Sequence, residues 1–214
     1  MRQDTEEGAP PPVLLVPGWS DRPAVMRRLR RRLIEAGWAE SAVDVVGFRD
    51  RFGSNVAHAE EVAEAAGGLL ARTGARRLDV VAHSMGGLAV RLFLAVEGCP
   101  VRRVVFVATP HAGTWAALAA WGGGRREMMP GSEFLCALPP IPPHVRCTTV
   151  RTPRDLRIFP GSSACVAGAH DVVVRLATHQ GLLRSRLAFE GIRRALVEYA
   201  DDGPVRVAAG TADV

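Results

Sequence analysis

The chain contains no lysine: its 27 basic side chains, histidine aside, are all arginine, set against 22 acidic ones for a net charge of +5. With the abundance of Ala, Gly, Val and Pro, this pattern points to a GC-rich coding bias, so the charge says little about function. The four cysteines, Cys99, Cys136, Cys147 and Cys165, include no CxxC, which argues against a metal site or a dithiol redox centre. Buried free thiols are the expected state, although Cys136 and Cys147 could pair in a secreted setting. Zinc-finger spacing is absent, and so is any interleaving of aromatic with basic residues. The densest basic run, Arg27 to Arg32, therefore reads as a solvated helix face and not as a nucleic-acid contact; the same face could meet anionic lipid at a membrane surface. No apolar stretch approaches the roughly 18 residues that cross a bilayer. Met1 to Pro10 lacks the basic and apolar regions of a signal peptide. A cytoplasmic location is the expectation, or a secreted one if a leader precedes this chain.

What is present suits one globular domain. The 214 residues are 48% hydrophobic and 23% charged, enough for a sizeable core and short for two. Strand-like runs at Pro12–Val16, Ala42–Phe48, Arg77–Ala82, Val101–Ala108, Arg146–Arg151 and Val172–Leu176 alternate with helical segments. The first helix, capped by Ser20 or Asp21, carries an apolar stripe of Val25, Met26, Leu29, Leu33 and Ile34. Ser54–Thr73 follows with Val56, Val62, Ala66 and Leu69 inward, then Met85–Val96, and finally Leu187–Tyr199. Val-rich buried strands between helices predict a mostly parallel sheet covered on both faces. The expected domain is 1–202, with 203–214 a loose tail. Residues 111–145 break the rhythm with Gly122 to Gly124 and paired prolines, interleaved with Trp115, Trp121, Met128 and Phe134. So long a connection is read as a lid-like, substrate-binding insertion.

The most informative segment is Leu78 to Leu88. An apolar strand runs into Ser84 and a helix starts at once. A serine on such a sharp turn needs tiny residues two positions to either side, and Ala82 and Gly86 stand there. The turn lifts the hydroxyl clear of the sheet and sets Ser84 at a helix N-terminus, where developing negative charge is favoured. A helix cap alone would explain neither Ala82 nor Gly86-Gly87.

The run Ala82-His83-Ser84-Met85-Gly86-Gly87 resembles the nucleophile elbow of small bacterial lipases, minimal α/β-hydrolases of lipase class 2, although Ala82 replaces the commoner glycine. The resemblance extends from about Val13 to about Ala200 and is looser between Pro110 and Val145. It implies an α/β-hydrolase fold with about six mostly parallel strands, and hydrolysis of carboxylic esters through an acyl-enzyme on Ser84. The residue after the nucleophile, Met85, supplies one oxyanion-hole N–H by geometry. By resemblance Trp19 supplies the second, with Gly18 allowing the tight path; Pro17 has no N–H to give.

The chain order of this fold is Ser, then acid, then His. His179 lies in the loop beyond the last strand, where the general base belongs. His170 precedes that strand and so falls at the opposite end of the sheet. Asp155 follows the preceding strand and is favoured as the acid over Asp171, which starts the last one; it would orient His179 and stabilise its imidazolium. His111 and Trp115 are placed on the substrate-binding wall. Thr109 to Thr114 and Met129 to Leu135 resemble lipase segments around the site, which implies a small-molecule acyl ester or lipid as substrate. No metal or organic cofactor is needed, and no nucleic-acid partner is expected. An acyltransferase or thioesterase would use the same triad, and a catalytically silent scaffold would keep the fold without the chemistry.

Overall fold

A computed structural model describes residues 10–197. Six strands form one sheet in the order β2-β1-β3-β4-β5-β6, and every neighbouring pair is parallel. They are β1 (Val13–Val16), β2 (Val43–Val45), β3 (Leu78–His83), β4 (Val101–Val107), β5 (Arg146–Arg151) and β6 (His170–Val173). The helices are α1 (Arg27–Glu35), α2 (Asn55–Thr73), α3 (Gly86–Leu94), α4 (Gly123–Glu127), α5 (Glu133–Ala137) and α6 (Arg186–Val197).

The pleat sends alternate side chains to opposite faces. Val13, Leu15, Val81 and Val105 pack with α1 and α6 on one side. Leu14, Val16, Val80, Ala82, Val104 and Phe106 pack with α2 and α3 on the other. This two-sided burial is why the strands read as unbroken apolar runs. The Ala82 methyl, in place of the commoner glycine, joins the α2–α3 side of the core.

Local chemistry sets the helix ends. Ser54 caps α2 by accepting from the Ala57 N–H, and Gly74 closes it at φ 70°. The guanidinium of Arg103 donates to the Leu196 carbonyl and Arg102 to the same oxygen, satisfying the end of α6 from the sheet. Arg102 also holds the buried Asp79 carboxylate with two hydrogen bonds of 3.0 and 2.6 Å.

Several expected boundaries move. The apolar run at 42–48 gives only three paired residues in β2. The last strand starts at His170, because His170 pairs with Thr148 and Asp171 with Thr149. Neither Ser20 nor Asp21 caps the first helix: the chain enters α1 through a 3₁₀ turn at Pro23–Met26, whose cap position is Arg22. On α2, Val62, Ala66 and Leu69 are buried as expected, but Val56 is exposed and His58 takes the inward place. The His58 ring stacks on Phe48, centroids 3.9 Å apart. The arginine face of α1 is partly structural: Arg30 donates to the Val43 carbonyl and Arg32 to that of Ser185. All four cysteines are free, so Cys136 and Cys147 do not pair. Among the described residues no helix is long and apolar enough to cross a membrane. The proposed tail at 203–214 lies outside the described residues.

Residues 111–145 build a small core of their own. Ala117, Met128 and Leu138 pack on Met85 and Leu88, with Trp19 at the margin. The 3₁₀ turn Trp115–Ala119 carries Ala117, and Met128 and Leu138 stand just past the C-terminal ends of α4 and α5.

Candidate active site

The strand order reverses around β1: the chain leaves β1 outward to β2, then returns to its other side for β3. Open parallel sheets place their crevice at the carboxyl ends of such strands, because the two following loops diverge there. The loops after β1 and β3 carry Trp19 to Asp21 and Ser84. They border a cavity of about 310 Å³.

Ser84 sits at the turn from β3 into α3 with φ 53°, a left-handed conformation that costs a non-glycine residue roughly 1–2 kcal/mol. Its surroundings enforce it. The Ser84 N–H donates to the Val107 carbonyl at 2.9 Å, and its own carbonyl accepts from the Gly87 N–H at 3.0 Å. Three glycines let the neighbouring backbones close in. A Cβ on Gly18 would stand 2.8 Å from the Ser84 Cβ; one on Gly86 would overlap the Pro17 carbonyl oxygen, and one on Gly87 the Thr109 side chain. The N–H groups of Trp19 and Met85 have no acceptor among the described residues, and Trp19 lines the cavity.

His179 and Asp155 meet after β6 and β5. The His179 Nδ1 lies 2.8 Å from Asp155 Oδ2; since an ionised carboxylate only accepts, Nδ1 carries the proton. The other oxygen, Oδ1, accepts from the N–H groups of Arg157 at 2.8 Å and Ile158 at 3.0 Å. Burial pushes the Asp155 carboxyl up, but His179 and the two backbone donors outweigh it, and the group lies below its ordinary value. The Thr152 hydroxyl ties the two loops by donating to the Ala177 carbonyl at 2.8 Å. Ser84 and His179 both line the cavity.

The rival acid is accounted for otherwise. Asp171 accepts from Arg151 and from the Thr149 hydroxyl within the sheet. Two expected wall residues sit elsewhere. His111 is buried with its ring edge-on to Phe106 at 4.6 Å and is not among the cavity-lining residues. Trp115 is half exposed and likewise outside the lining; the 3₁₀ turn points its neighbours inward instead. The apolar wall is Ala116, Ala117, Ala119, Ala120, Met128 and Ile158. Two residues of the site were not anticipated: Asp21, expected as a helix cap, lines the cavity, and the His83 ring lies tilted beside that of His179, centroids 4.7 Å apart. Among the described residues no group of three or more His, Cys, Asp or Glu side chains could hold a metal.

Residues 13–213 match the model of the alpha/beta hydrolase family. The mature lipase BlEst2 of Bacillus licheniformis superposes over 92% of this chain and 96% of its own, at 14% identity and a TM-score of 0.75. Lipase B of Aspergillus fumigatus superposes over 93% of this chain and 54% of its own, at 21% identity and a TM-score of 0.76. At these identities the structural likeness speaks for the fold.

Proposed function

The chain belongs to the alpha/beta hydrolase family, and from that membership we propose that it is a serine esterase or lipase with Ser84 as nucleophile, His179 as general base and Asp155 as the acid that orients it. One observation carries this reading. A buried Asp155–His179 pair at 2.8 Å opens on the same cavity as a serine held in a left-handed turn.

The chemistry follows from the positions. Ser84 Oγ attacks the ester carbonyl while His179 Nε2 takes its proton, and Asp155 stabilises the imidazolium from the Nδ1 side. The carbonyl oxygen becomes an anion at the head of α3, where the N–H groups of Met85 and Trp19 are free to receive it. His179 then protonates the departing alcohol. Water, deprotonated by the same ring, releases the acid from Ser84. The substrate is a small acyl ester whose acyl group lies against the alanine wall. The names of the two superposed lipases support the same class.

The test is hydrolysis of p-nitrophenyl esters from acetate to palmitate by wild type and Ser84→Ala. Turnover lost in the variant supports the assignment, and the chain-length profile separates esterase from lipase. Turnover undiminished in Ser84→Ala removes Ser84 from the mechanism. No turnover by wild type on any ester would turn attention to a different acyl acceptor or to a silent fold.

A further inference from the structure

The backbone N–H of Gly18 holds the Asp21 carboxylate from within its own loop. Asp21 caps no helix. The backbone turns inward at Ser20, which has φ 61°, and delivers the Asp21 carboxylate to the cavity with its side chain only 11% exposed. There its two oxygens serve two different loops. Oδ2 lies 3.4 Å from His83 Nδ1, and Oδ1 accepts from Gln180 Nε2 at 3.3 Å. His83 is the residue before Ser84, and Gln180 the residue after His179. The His83 ring is fully buried and packs 4.7 Å from the ring of His179. Asp21 thus stands beside the residue before the nucleophile, whose ring nitrogens have no hydrogen-bond partner among the described residues, and is bonded to the residue after the base.

We propose that Asp21 is a positioning residue for His179, a second carboxylate that stabilises the imidazolium formed on proton transfer and, through His83 and Gln180, holds the ring towards Ser84. The proposal rests on the triad reading above. In the step concerned the proton passes from Ser84 Oγ to His179 Nε2, while Asp21 and Asp155 stay ionised and His83 stays neutral. Asp155 meets His179 directly from the β5 loop, and Asp21 on the β1 loop lines the same cavity as the ring, so two carboxylates share its surroundings. Two cations oppose them: Arg157 lines the same cavity, and Arg51 donates to the Ser20 carbonyl beside Asp21 at 2.7 Å. A second carboxylate in the same cavity favours the imidazolium further. The resting charges agree. Burial pushes the Asp21 carboxyl up, but His83, the Gly18 N–H and the nearness of His179 bring it below its ordinary value. Burial pushes His83 down, against the pull of Asp21.

The experiment compares wild type, Asp21→Asn and Asp21→Glu in the pH dependence of ester hydrolysis. Asparagine keeps the shape and the contact from Gln180 but removes the charge. The acid limb of kcat/KM, set by deprotonation of the base in the free enzyme, should move to lower pH by about half a unit or more. The plateau kcat should fall on the order of tenfold with little change in KM, and glutamate should restore part of both. A merely structural role would scale kcat and leave the limb in place, and that outcome overturns the proposal. A second measurement needs no turnover: NMR titration of the His179 ring in both proteins. Its midpoint should be lower in Asp21→Asn, and equal midpoints overturn the proposal even if no ester is hydrolysed. Should Asp21→Asn fail to fold, the carboxyl carbon of Asp21 in the wild type decides. It must respond as His179 titrates, and a flat signal there overturns the coupling.

Discussion

The indole of Trp19 lies edge-on to that of Trp121, centroids 5.1 Å apart, and its Nε1–H donates to the Trp121 carbonyl at 3.2 Å. Phe52 completes the contact at 5.4 Å from Trp19 and 5.5 Å from Trp121. Gly124, three residues on, is so close to Met85 that a Cβ there would stand 2.5 Å from its sulfur. The insertion therefore touches the side chains of both residues proposed to hold the oxyanion.

From this contact, Trp121→Ala should lower kcat about tenfold. Losing an oxyanion donor outright costs roughly 10²–10³ in kcat; here the donor is only loosened, because Nε1 still has the backbone carbonyl of residue 121 to bond. Trp121 is 62% exposed, so thermal stability should change little. Trp121→Phe keeps an aromatic edge and should retain most of the activity. Steady-state kinetics on a short-chain ester check both, and unchanged kcat in the alanine variant would free Trp19 from its role.

Glycines of the same sequence context should behave oppositely. In α2, a Cβ on Gly68 would meet nothing within 4 Å. Gly68→Ala should stabilise by about 0.5–1 kcal/mol through helix propensity and a less flexible unfolded chain. At Gly86 the new methyl would overlap the Pro17 carbonyl oxygen, a backbone atom with no rotamer to yield. Gly86→Ala should cost about 1–3 kcal/mol or more. Urea unfolding of the two variants measures the contrast.

Much of this was legible in the sequence, and the reasons differ by feature. The sheet was legible because both its faces are buried, which leaves continuous runs such as Val101 to Val107. The elbow was legible because a tight strand-to-helix turn demands small residues at fixed offsets from Ser84. That Asp155 and His179 would meet was legible from the chain order of the fold the sequence resembles, with each just beyond a strand's carboxyl end. The cavity wall was not legible: within 111–145 no periodicity tells which side of a short 3₁₀ turn faces inward, and Trp115 fell on the outer side. Asp21 was missed for another reason. Its partners are His83 and Gln180, the latter 159 residues away, while its local setting before Pro23 is that of an ordinary cap.

The strain at Ser84 predicts a trade between stability and activity. Ser84→Ala and Ser84→Gly should both abolish hydrolysis, but only glycine adopts φ 53° without penalty. The glycine variant should be about 1 kcal/mol more stable than the alanine variant. Equal melting temperatures would mean that the turn relaxes once the hydroxyl is gone.

The buried His111 should make the fold sensitive to acid, and the sign can be worked out. Burial, with a smaller push from Arg91, brings its pKa from the ordinary 6.5 down to about 3, and neither ring nitrogen has a partner among the described residues. Between those two values the unfolded chain binds a proton that the folded chain refuses. Stability therefore rises with pH through this window and is lost as pH falls through it, by about 1.4 kcal/mol per pH unit. His111→Phe keeps a ring against Phe106 and removes the titration. The difference in unfolding free energy between wild type and His111→Phe, taken from urea curves between pH 7.5 and pH 4, should shift steadily against the wild type below about pH 6.5. Carboxylates such as Asp155 titrate in both proteins and cancel in that difference. Parallel curves would mean that the His111 ring gains a proton without unfolding, by reaching water or an acceptor from its place beside Phe106.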